Sequence, residues 1–344
     1  MLRSARLILL PASVFALAIC HATWRDGWTR VEAQGGAAAP QARADRATVA
    51  RHVDRARLMR DVATLASPSF EGRQTGTPGG LKAREWIAQQ FASMRLTPVN
   101  DAAFMQTFTI APSNVRDTRP GSRSSRAEYP AANIVGRVAG SDSRGTTIVI
   151  TAHYDHEGIR DGVLYPGADD NASGVAALLA AARHFTMTQP RHPLVFAALD
   201  GEELGQHGAK ALIASNLLPR GRIGLNINLD MVSRSDANEI YAAGTFYSPW
   251  QIPILQDVQA RTSVKILFGH DRPAHLGGGL EDWTHSSDHG PFHDAGVPFV
   301  YFGVEDHSDY HKQTDTADRF DRRFFGDVAD MIVEAIWTFD RRLD

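Results

Sequence analysis

The chain has 344 residues, 43% of them hydrophobic and 22% charged, with 36 Lys and Arg against 39 Asp and Glu for a formal net charge of −3. Such a composition supplies one large core, and the scattered cations exclude a strongly basic nucleic-acid binder. One cysteine, Cys20, excludes an intramolecular disulfide and a thiolate metal site in the folded domain. Any metal must then be held by His, Asp and Glu.

Arg3 and Arg6 precede an apolar run over 7–20 that is short for a membrane span and contains Pro11. This pattern predicts an export signal over 1–22, with cleavage after Ala22 or as late as Ala33, and a periplasmic or secreted product. Cys20 ends the run as lipoprotein cysteines do, but Ile19 stands where a small residue is expected, which ranks lipidation behind simple cleavage. No membrane contact is expected beyond such an anchor or lipid. Residues 34–44, rich in Gly, Ala, Pro and Gln, read as a linker, and 45–344 as one domain.

Apolar spacing at Val49, Val53, Leu58, Val62 and Leu65 predicts a helix over 45–65. Thr77 as N-cap and Pro78 at the first helical position open a second, running through Phe91. Strands are expected at 104–110 and 133–138, with a polar loop over 112–129 between them. Buried strands follow at 146–151, 194–199, 223–229 and 297–302, with further strands at 239–243 and 264–268. Helices are expected at 174–185, 204–215, 249–261 and 324–339. Strands and helices alternating over short connections imply a three-layer α/β/α sandwich around a mostly parallel, mixed sheet.

In such sheets function sits beyond the C-terminal strand ends. There the sequence has His153-Tyr-Asp155, then Gly167-Ala-Asp169-Asp170-Asn171-Ala-Ser-Gly174, then Asp200-Gly-Glu202-Glu203, then Asp230, and finally His311. Each has a structural explanation by itself: a core histidine, a helix cap at Asp170, acids at a helix start, a surface histidine. Together they place several carboxylates at one sheet edge, where mutual repulsion calls for cations. Imidazole and carboxylate ligands suit zinc, manganese or cobalt, and one bridging carboxylate lets this set hold two ions about 3.5–4 Å apart.

The ordered set, with Asn228-Leu-Asp230, Tyr310-His311 and Asp315-Thr316, resembles metallopeptidase family twenty-eight, the co-catalytic dizinc aminopeptidases that include bacterial leucyl aminopeptidases. Glu71-Gly-Arg73 and Gly76-Thr-Pro-Gly-Gly80 also resemble bacterial members, and the likeness spans about 50–340. It implies two zinc ions, with His153 and Asp230 on one, Glu203 and His311 on the other, and Asp170 bridging. It further implies that Asp155 accepts the second imidazole N–H of His153, that Glu202 is the general base on a zinc-bound water, and that the Asp170–Asn171 peptide is cis. The implied substrates are peptides with a free N-terminus.

Glutaminyl cyclases and glutamate carboxypeptidases share this fold. The full ligand set disfavours the one-zinc cyclase, and the short segment between Val138 and Thr146 leaves no room for the carboxypeptidases' inserted domain. A non-catalytic binding module is disfavoured because every ligand position is filled. The segment His285-Ser-Ser-Asp288-His289 reads equally as pocket wall or helix cap, and His270 through Gly279 as a surface loop. His207, His293 and His307 have no spacing that recommends them as ligands, and the preferred N-terminal residue and oligomeric state are not readable.

Overall fold

The computed structural model describes residues 51–99, 103–115, 128–142, 145–218 and 223–344. The expected signal, the linker and most of the 112–129 loop lie outside these residues. Helix α1 (Arg55–Leu65) starts where the Asp54 carboxylate accepts from Arg57 N, and α2 (Pro78–Ser93) where the Thr77 hydroxyl accepts from Gly80 N. Strands β1 (Thr97–Pro98), β2 (Met105–Ile110), β3 (Tyr129–Val138) and β4 (Thr147–His153) follow. A small hairpin, β5 (Gly158–Arg160) and β6 (Val163–Tyr165), leads to a one-turn π-helix at Ala168–Ser173 and to α3 (Gly174–Met187). The remainder is β7 (Leu194–Leu199), α4 (His207–Ala214), β8 (Ile223–Leu229), β9 (Glu239–Ala243), α5 (Gln251–Gln259), β10 (Lys265–Phe268), α6 (His289–Asp294), β11 (Phe299–Gly303) and α7 (Arg322–Arg342).

Among the described residues one nine-stranded sheet runs β1-β3-β7-β4-β8-β11-β9-β10, with β2 paired to β3. Its centre, β7-β4-β8-β11, is parallel, while β3 and β9 join antiparallel. The parallel strands are buried along nearly their whole length, as strands covered on both faces must be. Alternation divides their side chains between two layers. Ile148, Ile150, Phe196, Ile227 and Val300 pack with α1, α2, α3, α5 and α7. Val149, Val195, Ala197 and Leu199 pack with Ala209 and Leu212 of α4 and Phe292 of α6. The expected three-layer architecture is present.

The helix expected over 204–215 begins only at His207. The preceding residues curl back, with Gly205 N and Gln206 N both donating to Glu202 O and Gln206 at φ +60. This tight turn presents Glu202 and Glu203 at the sheet edge instead of burying them in a helix. Among the described residues, no helix is long and apolar enough to cross a membrane.

Candidate metal centre

All the candidate side chains meet beyond the C-terminal ends of the parallel strands. His153 ends β4, and its Nε2 lies 3.3 Å from Asp230 Oδ1 beyond β8 and 3.4 Å from Asp170 Oδ1. The other oxygen of Asp170, Oδ2, lies 3.0 Å from His311 Nε2 and 3.6 Å from His156 Nδ1. Glu203 completes that side, with Oε2 3.5 Å from His311 Nε2 and Oε1 2.8 Å from His156 Nδ1. The Asp170 carboxylate therefore faces two groups at once, one through each oxygen.

Local sequence sets these positions. Asn171 donates through Nδ2 to Leu229 O and accepts at Oδ1 from Gly174 N and Met231 N, which ties the Asp170 turn to the end of β8. A Cβ on Gly174 would stand 2.3 Å from Asn171 Oδ1 and 2.4 Å from Leu229 O, so only glycine fits. The Asp170–Asn171 peptide is cis. The Asp315 carboxylate accepts from Asp169 N and Asp170 N. Below the site, Thr151 donates to Asn228 Oδ1, and Asn228 donates to Ser287 Oγ.

Asp155 meets His153 and the 200–206 turn at once. His153 Nδ1 bonds the main-chain oxygen of Asp155 at 3.1 Å, while the carboxylate is 3.7 Å away. That carboxylate also accepts from Glu202 N, Glu203 N and Thr75 Oγ1. The amides of Glu202 and Glu203 lie outside the sheet and the following helix, and Asp155 satisfies them. Asp155 thus positions the general-base candidate and its neighbour directly, and His153 through its backbone.

Sequence reasoning passed over four residues. His156 and Glu157 follow Asp155 in the same run, and adjacency to the motif was the available signal. His156 is buried against Asp170 and Glu203, and Glu157 Oε1 lies 3.7 Å from His311 Nδ1 and pairs with Arg160. Arg73, noted only within a motif, is fully buried and donates to four main-chain carbonyls, of Leu65, Tyr154, Pro166 and Gly167. The turn before it needs glycine at Gly72, where φ is +66 and a Cβ would stand 2.3 Å from Tyr165 O. Asp288, read equally as pocket wall or helix cap, stands at the N-cap position before α6 but makes no capping bond, and both its oxygens are buried without a hydrogen-bond partner. Just beyond the 270–279 loop, Glu281 and Trp283 contribute to the cavity wall.

Electrostatics follow from this crowding. Burial pushes Glu202 well above the usual carboxylate range, and Asp288, Asp230 and Glu203 add to it against the pull of His153. Burial and the Asp230 charge push Asp288 up to about 7, although His153 opposes them. Burial also works against ionised Asp170, but His156, His311 and His153 hold its carboxyl well below the usual range. For His311, burial works against the charged form, yet the Asp170 bond and the Glu203 charge push the imidazole up to about 9.

These residues fit divalent cations. Ligand atoms of His153, Asp170 and Asp230 lie within 4.8 Å of one another, as do those of His156, Asp170 and Glu203, and those of Glu157, Glu203 and His311. His156 Nε2 is buried without a partner, and His156 Nδ1 faces Glu203 Oε1 without hydrogen-bond geometry. Buried polar atoms in that state, within a ring of carboxylates, are what a bound cation relieves. A cavity of about 370 Å³ opens over the centre, lined by His153, Asp170, Glu202, Glu203, Asp230 and His311 among others.

Comparison with known proteins agrees with this geometry. A probable zinc metalloprotease of Pyricularia oryzae is 26% identical over 291 residues, covering 75% of this chain and 56% of its own length. The chain spans about half the length of the curated relatives it matches. Among solved structures, the zinc aminopeptidase BSAP of Bacillus subtilis superposes with a TM-score of 0.65 at 16% identity, covering 83% of this chain and 95% of that one. Porphyromonas gingivalis glutaminyl cyclase gives 0.64 at 17%, covering 83% and 99%. At such identities the likeness establishes the fold. The sequence model of Peptidase family M28 matches residues 133–336, more than half of the chain and all the candidate ligands, and the chain belongs to that family.

Proposed function

We propose that this protein is a dizinc aminopeptidase that hydrolyses the N-terminal bond of peptides. The observation that carries the reading is the Asp170 carboxylate, shared through its two oxygens between His153 with Asp230 and His311 with Glu203. Those five residues would hold the ions, with His156 beside Glu203 as a sixth donor. Bound there, zinc supplies Lewis-acid polarisation of a carbonyl and acidification of water. The family and the aminopeptidase fold neighbour support the peptidase reading.

The chain's own residues supply the rest. Glu202 faces the cavity, belongs to neither ligand group, and is held by its backbone amide on Asp155. Its carboxylate takes a proton from the attacking water and returns it to the leaving amine nitrogen as the C–N bond breaks. The raised proton affinity that burial imposes on Glu202 suits both halves of that transfer. The surrounding acids attract the substrate's α-ammonium. Arg3, Arg6 and the apolar run over 7–20 support export, testable by sequencing the N-terminus of the mature protein.

The deciding experiment compares leucyl-p-nitroanilide with its N-acetylated form on zinc-loaded protein. Hydrolysis of the free-amine substrate alone is expected. Ammonia release from N-terminal glutaminyl peptides, with no anilide hydrolysis, would replace the reading with a cyclase.

A further inference from the structure

The cavity wall contains two carboxylates that belong to none of the three ligand groups, Glu281 and Asp306. Among the described residues, neither side chain has a hydrogen bond or an ion pair within 4.0 Å. Burial and the Glu281 charge push the Asp306 carboxyl up, against the pull of His311. Both carboxylates are exposed at the cavity mouth, and a positively charged substrate group there would offset their mutual repulsion.

This wall is built, not accidental. His270, itself buried, stacks on Trp283 with ring centroids 3.5 Å apart. Its Nδ1 lies 2.8 Å from Glu281 O, and its Nε2 lies 2.9 Å from Glu305 Oε1. Trp283 N donates to His270 O at 2.6 Å. One histidine thereby fixes the main chain at Glu281 and the side chain next to Asp306. Besides the metal-site residues, Met231, Trp283, Tyr301, Val304 and Tyr310 line the same cavity. A surface with aromatic walls and carboxylates matches a long aliphatic stem ending in a cation. A purely apolar side chain there would gain nothing from the two charges.

We propose that this pocket selects peptides whose N-terminal residue is lysine or arginine, with Glu281 and Asp306 receiving the side-chain cation. The proposal rests on the aminopeptidase reading. Its test uses lysyl- and norleucyl-p-nitroanilides, which share a stem and differ in the terminal ammonium, on the zinc-loaded full chain. The expected kcat/KM ratio favours lysine by on the order of tenfold or more at low salt and shrinks as ionic strength rises. Glu281→Gln and Asp306→Asn should each lower that ratio severalfold, and the double variant should abolish it. A structural defect would lower both substrates together and leave the ratio intact, which overturns the assignment, as does a wild-type preference for norleucine. Calorimetric binding of lysinamide against norleucinamide separates the two readings. Selective lysinamide binding without turnover of any anilide upholds the pocket and refutes the peptidase. Turnover without lysine preference does the reverse, and neither binding nor turnover removes both.

Discussion

Arg73→Met tests how the metal centre is held from behind. The guanidinium is fully buried, and its four hydrogen bonds, 2.7–2.8 Å long, all go to main-chain carbonyls. Methionine fills similar space and strands all four acceptors. At about 1–2 kcal/mol per buried carbonyl left unpaired, the gross cost is about 4–8 kcal/mol. Relief of the buried charge's desolvation offsets part of this, leaving a loss of about 4 kcal/mol. For a domain of this size that lowers Tm by roughly 8 °C. The same carbonyls flank functional positions, since Tyr154 lies between His153 and Asp155 and Gly167 leads into Asp170. Zinc affinity should therefore fall on the order of 10- to 100-fold, as when outer-shell partners are lost. Arg73→Lys keeps the charge but offers three donors from one nitrogen, so it should recover only part of both losses. Urea unfolding and chelator competition read the two quantities. A methionine variant within about 1 kcal/mol of wild type, or a lysine variant equal to it, would refute the reasoning.

Glu202→Gln should bind zinc normally and lower kcat by about 10²- to 10⁴-fold; near wild-type turnover with metals bound would rule out its role as general base. His156→Ala should weaken zinc retention against a chelator, and unchanged retention would show that His156 only fills space. Stripping metal should lower Tm, and zinc should restore it in a concentration-dependent way, with calorimetry as the check. Burial pushes the His289 imidazole down to about 3, against about 6.5 when unfolded. Between those values the unfolded chain binds a proton that the native state refuses. Stability from this residue is therefore full above about pH 6.5 and lost as pH falls towards about 3, at up to about 1.4 kcal/mol per unit. Urea titrations at about pH 7 and about pH 5 should show a shallower loss in His289→Asn, and an identical slope would count against it.

Much was legible because periodicity and capping are local. The strand ranges 194–199, 223–229 and 239–243 coincide with those observed, since unbroken apolar runs between turn residues leave few other conformations. Thr77 caps α2 as its place before Pro78 predicts. The 204–206 turn was missed because its residues have ordinary helical propensity, and it is the tertiary demand to point Glu202 and Glu203 at the edge that unwinds them. The bonds from Asp155 to the Glu202 and Glu203 amides were not legible, because sequence distance to His153 says nothing about which orphan amides lie near.

The sequence alone determined that carboxylates and histidines would end successive parallel strands, because strand identity and polar strand-end residues are written locally. The tertiary structure decided which oxygen faces which imidazole, that His156 joins the group, and that Arg73 supports it. It also brought Glu281 and Asp306 into one cavity from loops 25 residues apart in the chain. Those relations depend on side-chain direction and on contacts between distant segments, and a linear pattern does not encode them until the core has packed.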